Sequence, residues 1–105
     1  IGLALARRLA DAGDLHAARD ACRIHLGTSP QDAEAQLLLG IVEFARGDVE
    51  AADAAFARVL FLDHHNLDAL EHRALLADHR GRGDEARRLR ARAGRSRAQR
   101  APATP

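Results

Sequence analysis

Residues 33–66 read AEAQLLLGIVEFARGDVEAADAAFARVLFLDHHN, and this stretch decides the fold. Leu37, Leu38, Ile41 and Phe44 recur at the three-and-four spacing of one helix face, and Ala52, Ala55, Phe56, Val59 and Leu60 do so again after a break. The break is Arg46-Gly47-Asp48. Glycine readily takes the left-handed backbone that closes a helix, and aspartate offers a side-chain acceptor that opens the next. The stretch predicts two helices, about 32–46 and 49–62, joined by a tight turn.

Outward from this unit the same punctuation returns. Gly13, Gly47 and Gly81 stand 34 residues apart, Ala18, Ala52 and Ala86 keep that interval, and Cys22, Phe56 and Arg90 follow in register. A fixed period of this length means stacked supersecondary units. Helices are therefore expected at about 1–12 and 15–27 before the central pair, and at 67–80 and 84–95 after it. Each carries an apolar stripe wider than one neighbour covers, which stacking further pairs on both sides would bury.

Composition agrees with an all-α solenoid of helix-turn-helix repeats. Alanine, the best helix former, dominates the apolar residues, and proline is confined to Pro30, Pro102 and Pro105. With three Phe and no Trp or Tyr, the core must be made from small, closely approaching helices. The 105 residues suffice for one domain. Its repeats are expected at about 1–32, 33–66 and 67–95, making a domain of 1–95 followed by a disordered Arg/Ala/Pro tail at 96–105. The chain opens at Ile1, without an initiator Met and already inside an apolar pattern, so a piece of a longer protein is expected.

Charge is unevenly placed. Residues 1–79 hold 7 Arg and 13 acids, whereas 80–105 hold 9 Arg and 2 acids. The lone Cys22 cannot form an internal disulfide, no apolar run approaches the about 20 residues of a membrane span, and no secretory signal pattern is present. A cytoplasmic setting without membrane contact is the expectation.

The central unit, with Leu39-Gly40, Gly47-Asp48, Ala52, Phe56 and Leu60, resembles the tetratricopeptide repeat (TPR) family. The first unit adds Leu5-Ala6, Gly13-Asp14, Ala18, Leu26 and the inter-repeat Pro30, and the third adds Ala74, Gly81 and Ala86. The resemblance implies a superhelix in which small residues at Ala6, Gly40 and Ala74, and at Ala18, Ala52 and Ala86, let paired helices approach. Three positions depart from it: His64 stands for an inter-repeat proline, Glu43 for an aromatic and Arg90 for a large apolar residue. With Arg87, Arg88 and Arg92, Arg90 makes the last helix polar, as expected of a closing cap.

More narrowly, residues 33–95, with Phe56-Ala57-Arg58-Val59-Leu60-Phe61-Leu62-Asp63 and Ala86-Arg87-Arg88-Leu89-Arg90-Ala91-Arg92, resemble the C-terminal TPR region of CheR-type chemoreceptor methyltransferases. That resemblance implies a bacterial signalling and chemotaxis context. The parent would methylate receptor glutamates with S-adenosylmethionine, while this piece docks or regulates without catalysing. No catalytic residue is carried over, and no cofactor is expected in the fragment.

The family register implies a concave groove formed by exposed Leu3, Arg7, Glu34, Leu37, Ile41, Phe44, Asp68, Glu71, Leu75, Asp78 and His79. Its apolar middle and acidic far end would suit an amphipathic or basic protein segment, from a chemoreceptor or from the parent's own catalytic domain. The alternative is that Leu37 and Phe44 merely contact neighbouring helices. Leu37 and Ile41 occupy positions where some relatives place a clamp for a C-terminal carboxylate, so that ligand class is not expected.

Other chemistries are less well supported. His64, His65, His72 and His79 lack the three or four converging ligands of a metal site, and no metal is expected. Cys22 reads as a small buried hydrophobe. The arginines from Arg80 to Arg100 make a basic nucleic-acid adaptor the rival function, but no aromatic residue is available there to stack on bases. A TPR scaffold of an unrelated bacterial protein is the other alternative. Gly81-Arg82-Gly83 reads as a helix–helix turn, not a nucleotide loop.

Overall fold

The computed structural model describes residues 2–100. Its elements are α1 (Gly2–Asp11), α2 (Leu15–Thr28), α3 (Ala33–Arg46), α4 (Val49–Leu62), α5 (Leu67–His79) and α6 (Gly83–Arg100). Five of these fall within a residue or two of their expected bounds. The sixth does not: α6 continues to Arg100, so the tail expected from residue 96 is still helix where the structure describes it. Ser96 supplies a reason, because it is buried one turn beyond the buried Ala93 and extends the packed face of the helix. The rest of that expected tail, residues 101–105, lies outside the described residues.

The 34-residue period is a period of backbone geometry. Gly13, Gly47 and Gly81 have φ of 82°, 89° and 74°, the left-handed region. Around each, the same pair of carbonyls is capped: Gly13 N–H donates to Ala10 O and Asp14 N–H to Leu9 O, Gly47 to Phe44 and Asp48 to Glu43, and Gly81 to Asp78 and Arg82 to Ala77. These are three copies of the Schellman turn. The following helix is opened in two of the three by the carboxylate of Asp14 or Asp48, which accepts from Ala17 N at 3.3 Å or Ala51 N at 3.0 Å. Arg82 has no such acceptor.

Between repeats, Asp32 and Asn66 cap α3 and α5 through Ala35 N at 3.2 Å and Ala69 N at 2.9 Å. Asp32 also binds His25 Nε2 at 2.8 Å. The hydrogen bond from His25, helped by Ala35 N–H, holds the Asp32 carboxyl below its ordinary range.

Packing follows the small residues. Ala6, Ala18, Ala52, Ala74 and Ala86 are essentially fully buried, and Gly40 is buried as well. A side chain at Gly40 would place its Cβ only 2.5 Å from the Phe56 ring, so the absence of one is what lets α3 and α4 close around that ring. One core cluster joins Val59, Leu60, Ala69, Leu70, Ala74, Ala77, Ala86, Leu89 and Ala93; another joins Ala52, Phe56 and Leu76. In α6 the large buried apolar residue is Leu89, one place before Arg90, which turns outward.

Each helix packs chiefly on its neighbour in sequence, but α1 also reaches α3 and α3 reaches α5. No comparable approach joins α2 to α4 or α4 to α6 among the described residues. The first helices of the pairs therefore crowd together on the inner side, and the second helices splay apart on the outer side. The body measures 43 × 37 × 23 Å.

Candidate functional site

The inner surface presented by α1, α3 and α5 is a shallow, divided groove. One recess of about 290 Å³ is lined by Arg7, Glu34, Leu37, Leu38, Ile41 and Asp68. A second, of about 380 Å³, shares Arg7, Leu38 and Ile41 with it and extends to Ala10, Asp11 and Leu15. The two adjoin at these shared residues, with an apolar floor supplied by α3. Ile41 is 38% exposed at their junction.

Of the residues expected in the groove, Arg7, Glu34, Leu37, Ile41 and Asp68 are brought together in this recess. Arg7 and Glu34 are ion-paired across α1 and α3. Asp68, by contrast, makes no ion pair among the described residues and stands exposed beside the apolar floor. Leu3 lies half-buried on α1.

Leu37 and Phe44 were expected to be exposed and are only half so. Leu37 packs against both core clusters and Phe44 against that of Phe56, because the inner helices approach closely enough to claim them. Phe44 also meets the His79 ring edge-on, with centroids 6.2 Å apart. These two apolar residues thus hold α3 against α5 while contributing only part of their surface to the groove.

The far end also differs from expectation. Leu75 is 51% exposed there, in a recess of about 320 Å³ with Glu71, Arg90, Ala93 and Arg97. Its acids are already matched: Asp78 pairs with Arg90, and Glu71 with Arg97 at 3.2 Å. The hydrogen bond that Arg90 donates to the Asp78 carboxylate raises the Arg90 pKa further. The acidity legible in α5 is covered by arginines of α6, a helix one turn of chain away.

The histidines make ring contacts and local hydrogen bonds. His72 stacks on Phe56 at 5.1 Å and its Nδ1 lies 2.7 Å from Asp68 O, whereas His79 lies against Phe44. Cys22 is fully buried, and that burial, with the charge of Glu43 as a smaller cause, pushes its thiol up to about 11. Glu43 is the polar residue whose buried ion pairs sequence reasoning missed. Only 1% exposed, it accepts from Arg46 one turn on and from Arg23 of α2 at 3.4 Å. Its place at a family aromatic position and its spacing to Arg46 were visible in the sequence; the reach of Arg23 from α2 was not.

No family model matches the chain. It is 35% identical over 89 residues, 85% of its length, to the Probable biofilm formation methyltransferase WspC of Pseudomonas putida. It is 36% identical over 88 residues, 84% of its length, to the protein of the same name from Pseudomonas aeruginosa. The chain spans about a fifth, 21%, of each. Among solved structures, MamA superposes with a TM-score of 0.91 at 20% identity, covering 93% of this chain and 57% of MamA. The type III secretion translocator chaperone SycD of Yersinia enterocolitica gives 0.89 at 19% identity, covering 94% of this chain and 68% of SycD. The fold is the helical repeat of the TPR type.

Proposed function

For a TPR-type repeat chain that shares sequence with part of the biofilm formation methyltransferases, we propose a protein-docking role, carried by the inner groove at Leu37, Ile41 and Asp68. The observation that supports it is the combination in one recess of a partly exposed apolar floor and a carboxylate without an ion pair among the described residues. Such a surface fits an amphipathic segment that lays apolar residues on Ile41 and brings one Arg or Lys to Asp68. The basic residue belongs at Asp68, since Glu71 and Asp78 are occupied by α6.

The repeats from residue 1 to about 95, with α6 as polar cap, would act as one such unit. In the parent protein this unit is the non-catalytic docking or regulatory region of a cytoplasmic, CheR-like methyltransferase acting in bacterial signal transduction. Its occupant is a segment of the chemoreceptor substrate or of the catalytic domain itself. The pairing of Arg82, Arg87, Arg90 and Arg97 with carboxylates weakens the rival nucleic-acid reading, because it leaves only Arg88, Arg92 and Arg95 of the described α6 side chains without a carboxylate partner.

The test is binding of the chain to the purified catalytic domain of a WspC relative and, separately, to the cytoplasmic segment of its receptor. Ile41→Arg and Asp68→Arg are each expected to weaken capture of the true partner by about tenfold or more while circular dichroism is unchanged. Undiminished binding by both variants would place the docking surface elsewhere.

A further inference from the structure

The flank of α6 turned away from Arg90 and Arg97 carries a smaller recess. It lies between the α4–α5 turn and the last turns of α6, measures about 130 Å³, and is lined by His64, His65, Arg92, Arg95, Ser96 and Gln99. No carboxylate lines it. Arg92 Nη2 is 3.4 Å from the His64 carbonyl, which folds the guanidinium over the turn. His64 Nδ1 is 3.1 Å from Leu60 O, and buried Ser96 places its Oγ 3.5 Å from His65 Nδ1, so both sides of the recess are held in position. Arg95 has no carboxylate partner among the described residues, unlike Arg82, Arg87, Arg90 and Arg97 on the same segment.

We propose that this recess is an oxyanion site that takes a phosphate monoester. The guanidinium groups of Arg92 and Arg95, the Ser96 hydroxyl and the Gln99 carboxamide belong to its lining residues. Guanidinium matches phosphate oxygens in bidentate fashion. A monoester carries about −1.5 to −2 charges at neutral pH, which two arginines balance. Phosphodiester strands would need a longer unpaired cationic path and stacking rings, and no Phe, Tyr or Trp lines the site. The assignment stands independently of the groove between α1, α3 and α5.

The experiment titrates the whole chain at constant ionic strength with inorganic phosphate, O-phosphoserine and acetate, following the Arg Nε–H and His ring resonances by NMR. Saturable shifts are expected at Arg92 and Arg95 with both phosphates, with acetate weaker and Arg88 unmoved. Arg95→Gln and Arg92→Gln should each weaken phosphoserine binding by about tenfold, as loss of a charge-assisted pair does, whereas Arg88→Gln leaves it unchanged. Arg95 has no ion pair or hydrogen bond through its side chain among the described residues, so its variant separates binding from folding. Tighter binding of phosphoserine than of inorganic phosphate supports an ester ligand, and the reverse would overturn it. Shifts that never saturate, acetate equal to phosphate, or Arg88→Gln as damaging as Arg95→Gln would overturn it. So would an oligonucleotide whose binding falls equally in all three variants.

Discussion

At Gly40 the absence of a side chain is a packing requirement. A glycine inside a helix ordinarily costs about 1 kcal/mol against alanine, so replacing it should help. Here the added methyl would meet the Phe56 ring at 2.5 Å, and overpacking of a filled core costs about 1–3 kcal/mol. Gly40→Ala is therefore expected to lower stability by about 1 kcal/mol net, whereas Gly94→Ala in α6, with nothing within 4 Å of the new methyl, should raise it by up to about 1 kcal/mol. Urea unfolding of the two variants beside the parent chain checks the opposite signs. A stabilised Gly40→Ala protein would mean that α3 and α4 can separate without loss. Glu43 illustrates the complementary case, a charge tolerated in the core because Arg46 and Arg23 reach it.

The helices begin and end by one repeated device, and the place where it fails is informative. Asp14 and Asp48 follow the Schellman glycines and cap α2 and α4, but the third copy has Arg82, and α6 relies on the acids Asp84 and Glu85 in its first turn. Arg82→Asn should restore the missing acceptor. An N-cap is worth about 1 kcal/mol, while the exposed Arg82–Glu85 pair that is lost contributes about 0–1 kcal/mol. A net gain of about 0.5 kcal/mol is expected in thermal unfolding, with greater protection of the first α6 amides. Loss of stability would show that Arg82 holds the turn by its ion pair. At this scale the sequence was highly legible, because turn glycines and capping acids act within a few residues of themselves. The end of α6 was not legible, since the Arg/Ala/Pro composition suggests a tail until Ser96 is seen packed against the α4–α5 turn.

As a whole the chain is a linear array, each helix supported by its neighbours, so stability should vary along it. The pair α3 and α4 is covered on both sides, α1 and α6 on one. Native-state hydrogen exchange is expected to find the slowest amides in α3 and α4, with those of α1 and late α6 exchanging at least about tenfold faster. Uniform protection would instead indicate one cooperative unit. What the sequence by itself determined is the period, the six helices and their turns, because backbone conformation at glycine, capping at aspartate and helical spacing of apolar residues are local properties. It also determined the small residues at the helix crossings. Only the tertiary structure decided which charges remain available. Asp78 and Glu71 read as an acidic groove end until α6 lays Arg90 and Arg97 on them, and Arg92 and Arg95 read as cap surface until the α4–α5 turn closes a recess around them. Charge pairing depends on distances through space between separate helices, and the spacing of residues along a chain does not contain them.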